Sequence, residues 1–321
     1  MRMNTRTILV TGANGFVGKA LCALLLARGM SVSAAVRKHS NMQGGRFNYT
    51  FVGDIDGNTD WDVALKNIDC VVHLAARVHV MNETSSDPLK EFRRVNRDGT
   101  EKLARDAASA GVKRLIYLST IKVNGELTNG DPFTEQVGHP PVDPYGLSKW
   151  EAENLLRQIS AETGMEVVII RPPLVYGPGV KGNFLTLLKL VLKGFPLPLG
   201  CVTNRRSLVA LDNLLDLIRE CIANPQAANE TFLVSDGEDL STAELIKAIA
   251  HAMKKSPRLI PVPLRWLTIA ALISGKKAVA NRLLGSLQID SGKATRLLGW
   301  RPPQTVAQGV ERVVDWYEKR T

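Results

Sequence analysis

The stretch DPYGLSKWEAENLL, residues 143–156, places a phenol, Tyr145, four residues before an ammonium, Lys149. On a helix that spacing puts both side chains on one face, a turn apart. A phenol and an ammonium side by side at a helix start could mark a chemical site. Two solvent-exposed side chains would satisfy the same spacing, and the stretch alone leaves both readings open. Asp143 as N-cap and Pro144 at the first helical position predict where the helix starts.

A second constellation lies in TILVTGANGFVGKAL, where Gly12, Gly15 and Gly18 follow an apolar run and open a helical pattern. A tight strand-to-helix turn needs glycine, close approach of a pyrophosphate needs a missing side chain, and a helix N-terminus favours the anion. With the strand before it and the helix after it, the triplet predicts a bound dinucleotide rather than a plain turn. The next strand ends AAVRKHS, with Arg37 and Lys38 and no acid. Two cations there suit a 2′-phosphate, which favours NADP(H) over NAD(H); a pair of exposed charges is the bland alternative.

The elements that must position these residues alternate. TILV (Thr7 to Val10), SVSAAV (Ser31 to Val36), YTFVGD, CVVHLAA, RLIYLST (Arg114 to Thr120) and EVVIIRP (Glu166 to Pro172) read as strands. Between them lie helical patterns, including Val17 to Arg28, a long stretch from Pro88 to Ala110, and the helix carrying Tyr145 and Lys149. The alternation predicts an α/β fold, a Rossmann-type doubly wound parallel sheet. After Pro172 the rhythm breaks into the Pro/Gly-rich RPPLVYGPGVKGN and a helix from Phe184 to Lys193. TFLVSD (Thr231 to Asp236) returns to the sheet, and Leu240 to Leu298 is mostly helical. The expected division is a dinucleotide-binding domain over 1–175, with a return segment around 207–236. A smaller, mostly helical C-terminal substrate lobe takes 176–206 and 237–321.

Length and composition fit this plan: 321 residues, 45% apolar and 22% charged, are those of an ordinary globular protein. The amino terminus has no signal-peptide pattern, and the most apolar window, Trp266 to Ile273, is far shorter than the ~20 residues of a membrane span. A cytoplasmic protein without a membrane span is expected. The formal net charge is +10, but the cations come in small groups such as Arg93/Arg94/Arg97, Arg205/Arg206, Lys254/Lys255 and Lys276/Lys277. Solvated faces and a few phosphate contacts fit them better than nucleic acid. Cys22, Cys70, Cys201 and Cys221 form no CxxC, so neither zinc nor disulfides are expected.

Taken together, the motifs resemble the extended short-chain dehydrogenase/reductase family, and within it the nucleotide-sugar epimerases, dehydratases and 4-keto reductases. The resemblance rests on TGxxGFxG at Thr11 to Gly18, Asp54-Ile55, the HxAA segment from His73 to Ala76, and Asn96. It continues in YxxxK, in Arg171 with Val175 to Gly179, and in the ending KATRLLGWRPP. It implies that Tyr145 is the general acid/base at a sugar oxygen. A free phenol near pKa 10 holds its proton too firmly, and Lys149 is expected to lower it while bonding the nicotinamide ribose. Thr120 is the implied hydroxyl that steadies the reacting oxygen, with Ser119 a neighbouring backbone contact. Implied dinucleotide contacts are Gly12, Asn14, Gly15, Phe16, Val17, Gly18, Arg37, Lys38, Asp54, Ile55, Leu74, Ala75, Ala76, Tyr145, Lys149 and Pro172. Asn183 and Arg206 are the implied contacts to the diphosphate of a nucleotide sugar, beside Thr120 and Tyr145 at the sugar; a solvated role is expected for Arg205. Leu174 and the apolar PLPLGCV depart from the 4-epimerase pattern.

Three functions follow. Arg37 and Lys38 favour an NADPH-dependent reductase of a nucleotide-linked 4-keto sugar, with a UDP-4-keto-6-deoxy-N-acetylhexosamine of surface polysaccharide synthesis as the expected substrate. The alternative is an NAD-dependent 4-epimerase of a UDP-hexose or UDP-N-acetylhexosamine. The third, a dinucleotide sensor without turnover, has no use for a proton donor beside the nicotinamide. A homodimer through the two long helices is the family habit; the stripe Leu147, Trp150, Leu155 and Ile159 fits either that interface or the core.

Overall fold

A computed structural model describes residues 6–38, 48–78, 87–275 and 277–320; Met1 to Thr5, the His39-Ser40 end of AAVRKHS and Lys276 lie outside it. The first half runs β1 (Thr7–Thr11), α1 (Phe16–Ala27), β2 (Ser31–Val36), β3 (Asn48–Phe51), β4 (Cys70–His73), α2 (Pro88–Arg93), α3 (Gly99–Ser109), β5 (Arg114–Leu118), α4 (Pro144–Thr163) and β6 (Glu166–Arg171). The second runs β7 (Leu174–Tyr176), α5 (Gly182–Leu192), β8 (Arg206–Ala210), α6 (Leu211–Ala223), β9 (Thr231–Leu233), β10 (Asp239–Leu240), α7 (Thr242–Ala252), α8 (Leu264–Ile273), α9 (Lys277–Leu284), α10 (Gly292–Leu298) and α11 (Val306–Glu318).

The main sheet has the order β3-β2-β1-β4-β5-β6-β9, and every pairing in it is parallel. Its inner strands β1, β4, β5 and β6 are largely apolar and almost wholly buried because both faces are covered. In β1, Ile8 and Val10 pack in the layer that holds α1 and α6, while Leu9 packs in the opposite layer with α3 and α4. Val72 and Val71 of β4, and Ile170 and Ile169 of β6, divide the same way. The strand order reverses between β1 and β4, which opens a crevice at the strands' carboxyl ends, where such sheets bind ligands.

A separate three-stranded sheet has the order β10-β8-β7, and α5, α7 and α11 enclose a further apolar core containing Phe184, Leu188, Ile249 and Val313. The helical C-terminal part is as expected. The helix expected over Pro88 to Ala110 is not uniform: residues Arg94–Asp98 form a π-helical turn between α2 and α3. Such turns loosen the backbone ladder locally. Here the turn carries Asn96, whose carbonyl accepts from Thr100 Oγ1 at 2.7 Å.

Candidate functional site

Each glycine of the loop is required by a different contact. Gly12 has φ +65°, and a Cβ there would stand 2.8 Å from Ala75 N, so only glycine lets the end of β1 pass beside the segment after β4. A Cβ at Gly18 would lie 2.2 Å from Gly12 O, which fixes how closely α1 packs on the loop. Gly15 is the N-cap of α1; its N–H donates to Gly12 O at 2.8 Å, no side chain caps the helix, and its first turn holds no acid. An open, uncompensated helix N-terminus behind a side-chain-free loop fits a pyrophosphate. Asn14 and Gly15 are exposed, and Phe16 and Val17 pack against the core.

The segment Leu74–Ala76 is tied to this loop. Thr11 Oγ1 accepts from the backbone N–H of Leu74 and of Ala75, each at 3.2 Å. Its proton is therefore directed to His73 Nδ1, 2.6 Å away, and His73 Nε2–H donates to Thr100 Oγ1 at 3.0 Å. Burial, and then the charge of Lys149, push the His73 imidazole down to about 3, so it is neutral and its tautomer is set by these partners. Asn96 completes the chain: it accepts from Arg77 N at 2.8 Å and donates to Arg77 O and to Ser148 Oγ, both at 3.0 Å.

At the far end of the crevice Arg37 and Lys38 are exposed, as expected for ligand contacts or solvated charges. The end of β2 is not free of acid in space, however. Asp54, from the turn after β3, places Oδ1 3.7 Å from Arg37 Nη1. The parallel β2–β3 register brings it there, and sequence order alone hides it. Ile55 beside it is buried against Gly99.

The remaining expected residues gather at the carboxyl ends of β5 and β6. Asp143 caps α4 by accepting from Gly146 N at 2.8 Å, and Pro144 opens the helix. That fixes Tyr145 and Lys149 on one face. Lys149 is fully buried, donates to Leu118 O at 2.8 Å and lies 4.3 Å over the Tyr117 ring. Burial draws its ammonium down to about 7, against the pull of Glu153. Tyr145 packs beside Phe92. Its phenol is raised rather than lowered, by burial and then by the negative charge of Asp143. The expectation that Lys149 depresses the phenol therefore needs correction: in this conformation the ammonium is turned to the Leu118 carbonyl.

Thr120 follows β5 and is part-exposed, with its oxygen accepting from Lys122 N at 3.3 Å. Ser119 is more than a backbone contact. It is buried, and its hydroxyl donates to Glu153 Oε1 at 2.6 Å, whereas Thr120 keeps part of its surface exposed. Pro172 is buried, and its carbonyl accepts from Ile121 N at 3.0 Å, joining the ends of β5 and β6. Glu153, which motif reading passes over, has no exposed surface and pairs with buried Arg171 through two bonds, at 2.8 and 2.5 Å. Its signal was present: the Tyr145–Lys149 interval repeated once more along α4 lands on it.

The expected substrate residues stand apart from this cluster. Asn183 is exposed in the first turn of α5. Arg206 opens β8 and donates from Nη1 to Gly285 O at 2.9 Å. Among the described residues no carboxylate lies within ion-pair distance of Arg206, so this part-buried cation keeps charge to offer an anion. Arg205 is exposed, as expected.

Comparison with known proteins agrees with this geometry. Residues 8–235 match the NAD dependent epimerase/dehydratase family. A UDP-glucose 4-epimerase of Vibrio cholerae is 48% identical, with 97% of this chain and 95% of that protein covered. An N-acetyl-alpha-D-glucosaminyl-diphospho-ditrans,octacis-undecaprenol 4-epimerase of Escherichia coli O157:H7 is 30% identical, over 98% and 96%. Among solved structures, UDP-glucuronic acid 4-epimerase from Bacillus cereus in complex with NAD superposes with a TM-score of 0.79 at 23% identity, covering 98% and 99% of the two chains, a likeness of fold.

Proposed function

The chain belongs to the NAD dependent epimerase/dehydratase family, and from that premise we propose that it is an NAD-dependent 4-epimerase of a UDP-linked hexose or N-acetylhexosamine. The carrying observation is the 48% identity with a UDP-glucose 4-epimerase along 97% of the chain. The reductase reading rested on Arg37 and Lys38 without an acid. Asp54, an exposed carboxylate 3.7 Å from Arg37, adds an acid near the adenosine end that ribose hydroxyls could use, which supports NAD.

In this reading residues 1–175, with 207–236, hold the dinucleotide, and 176–206 with 237–321 form the substrate lobe. Gly12, Asn14, Gly15, Phe16, Val17 and Gly18 cradle the pyrophosphate at the α1 N-terminus. Arg37, Lys38, Asp54 and Ile55 meet the adenosine; Leu74, Ala75, Ala76 and Pro172 flank the nicotinamide end. Bound NAD supplies reversible two-electron oxidation and reduction at C4, ending each cycle as it began. Tyr145 takes the proton from the C4 oxygen and returns it after the sugar has presented its other face. Thr120 donates a hydrogen bond to that oxygen, which keeps it within reach of the phenol. Lys149 holds the ribose side and, once turned from Leu118 O, stabilises the phenolate. Arg206 and Asn183 hold the diphosphate. A cytoplasmic homodimer through α2, α3 and α4 completes the proposal.

Denaturing the purified protein and identifying the released dinucleotide tests the reading, together with an assay of UDP-glucose, UDP-galactose and their N-acetyl forms without added cofactor. Released NAD and interconversion of one pair are expected. Released NADP, or NADPH consumption on a 4-keto sugar without epimerisation, overturns it in favour of the reductase.

A further inference from the structure

The helix α8, LRWLTIAALI, buries none of its residues. Leu267 and Ala271, one turn apart, are its least exposed side chains, and Leu267 touches the lobe core. The opposite face presents Trp266, Ile269, Leu272 and Ile273 to solvent, with Trp266 58% and Ile273 83% exposed. Phe195 and Ile260, on loops that pair through Leu197 and Leu259, add exposed apolar surface nearby in the lobe. No helix among the described residues is long and apolar enough to cross a membrane. An apolar face this continuous on an outer helix marks a contact surface.

Charge identifies what covers it. From Leu245 to Ile289 the chain holds eight Lys and Arg and no Asp or Glu. Arg258 and Arg265, before and within α8, and Arg282 on α9 are all exposed, and among the described residues none has a carboxylate within ion-pair distance. A second copy of the same surface would bring these cations against one another. A surface of apolar depth and negative charge satisfies both features at once, with tryptophan at the boundary and cations at the headgroups. We propose that α8 lies in the interface of an anionic lipid bilayer, holding the protein on the membrane surface without spanning it. The α8–α9 hairpin leads to Leu283 and Gly285, whose carbonyls accept from Asn204 and Arg206. Docking therefore sets the substrate lobe, rather than the glycine loop, beside the membrane.

The test is co-sedimentation of the full chain with phosphatidylcholine vesicles, with and without phosphatidylglycerol. Wild type is expected to bind the anionic vesicles about tenfold or more tightly than the neutral ones, and less as salt rises. The combined variant Ile269→Ser, Leu272→Ser and Ile273→Ser should lose this binding while keeping its circular dichroism and its mass in solution. Brominated lipid should quench wild-type fluorescence, and Trp266→Phe should abolish the quenching, a readout independent of how well the triple variant folds. Absence of binding to either vesicle, binding unchanged in the triple variant, or a fall in its oligomeric mass showing that a second copy covers α8, would each overturn the proposal.

Discussion

Tyr145 and Lys149 have opposite electrostatic problems with one cause. Burial removes water from both, which raises the phenol and lowers the ammonium, so each is driven towards its neutral form. In the proposed proton transfer the pair must leave that state, and for Lys149 the group that opposes it is Glu153, one turn further along α4. Tyr145→Phe keeps the ring that packs on Phe92, so folding and dinucleotide content should persist while turnover falls by about two orders of magnitude or more. Near-normal turnover in that variant would remove Tyr145 from its role. Lys149→Met should lower both turnover and dinucleotide affinity. His73 gives a pH signature. Its folded value is about 3 against an ordinary 6.5, so between these values the unfolded chain carries a proton that the fold excludes. Stability is unaffected by this group above 6.5 and falls as pH drops towards 3, by up to about 1.4 kcal/mol per unit. Urea unfolding at pH 7 and pH 5 should show this extra loss in wild type and not in His73→Gln.

The elements meet at the site because their ends are locked to one another by buried polar contacts. The Glu153–Arg171 pair fastens α4 to β6, and Ser119 brings in the end of β5. Arg171 also donates to Asn124 Oδ1 and to Glu135 O, holding the chain after β5 over the pair. Removing one charge leaves the other buried and uncompensated. Glu153→Gln should therefore cost about 3–5 kcal/mol of stability by urea unfolding, and should loosen Lys149 along the same face. A loss no larger than that of an exposed pair such as Arg105–Glu162 would show that Arg171 finds other partners. The π-helical turn belongs to the same design, since it places Asn96 to brace the segment after β4 through both atoms of its carboxamide.

Across the assembled chain, the proposed dimer would use the faces of α2, α3 and α4, and the proposed membrane contact the face of α8. Leu147, Trp150 and Leu155 on α4 stay part-exposed, whereas Ile159 belongs to the core, so the expected stripe divides between interior and surface. Arg93–Glu151 and Arg105–Glu162 tie the neighbouring helices to α4 within the chain. Light scattering should give twice the 35.1 kDa of one chain, and Leu155→Glu should shift it to the monomer; a wild-type monomer would remove the dimer. Much of this plan was readable from local rules: glycine spacing after a strand, apolar runs, and an N-cap with proline. Each depends on neighbours in the chain, so the strand-to-helix turn of Gly12, Gly15 and Gly18 and the shared helix of Tyr145 and Lys149 were legible directly. Asp54 beside Arg37, Ser119 turned to Glu153, and Lys149 turned to Leu118 O depend on strand register and burial, which bring distant segments within bonding distance and expel the water between them. The exposed face of α8 belongs to that second kind: an apolar decapeptide looks like core until the packed lobe leaves it on the outside.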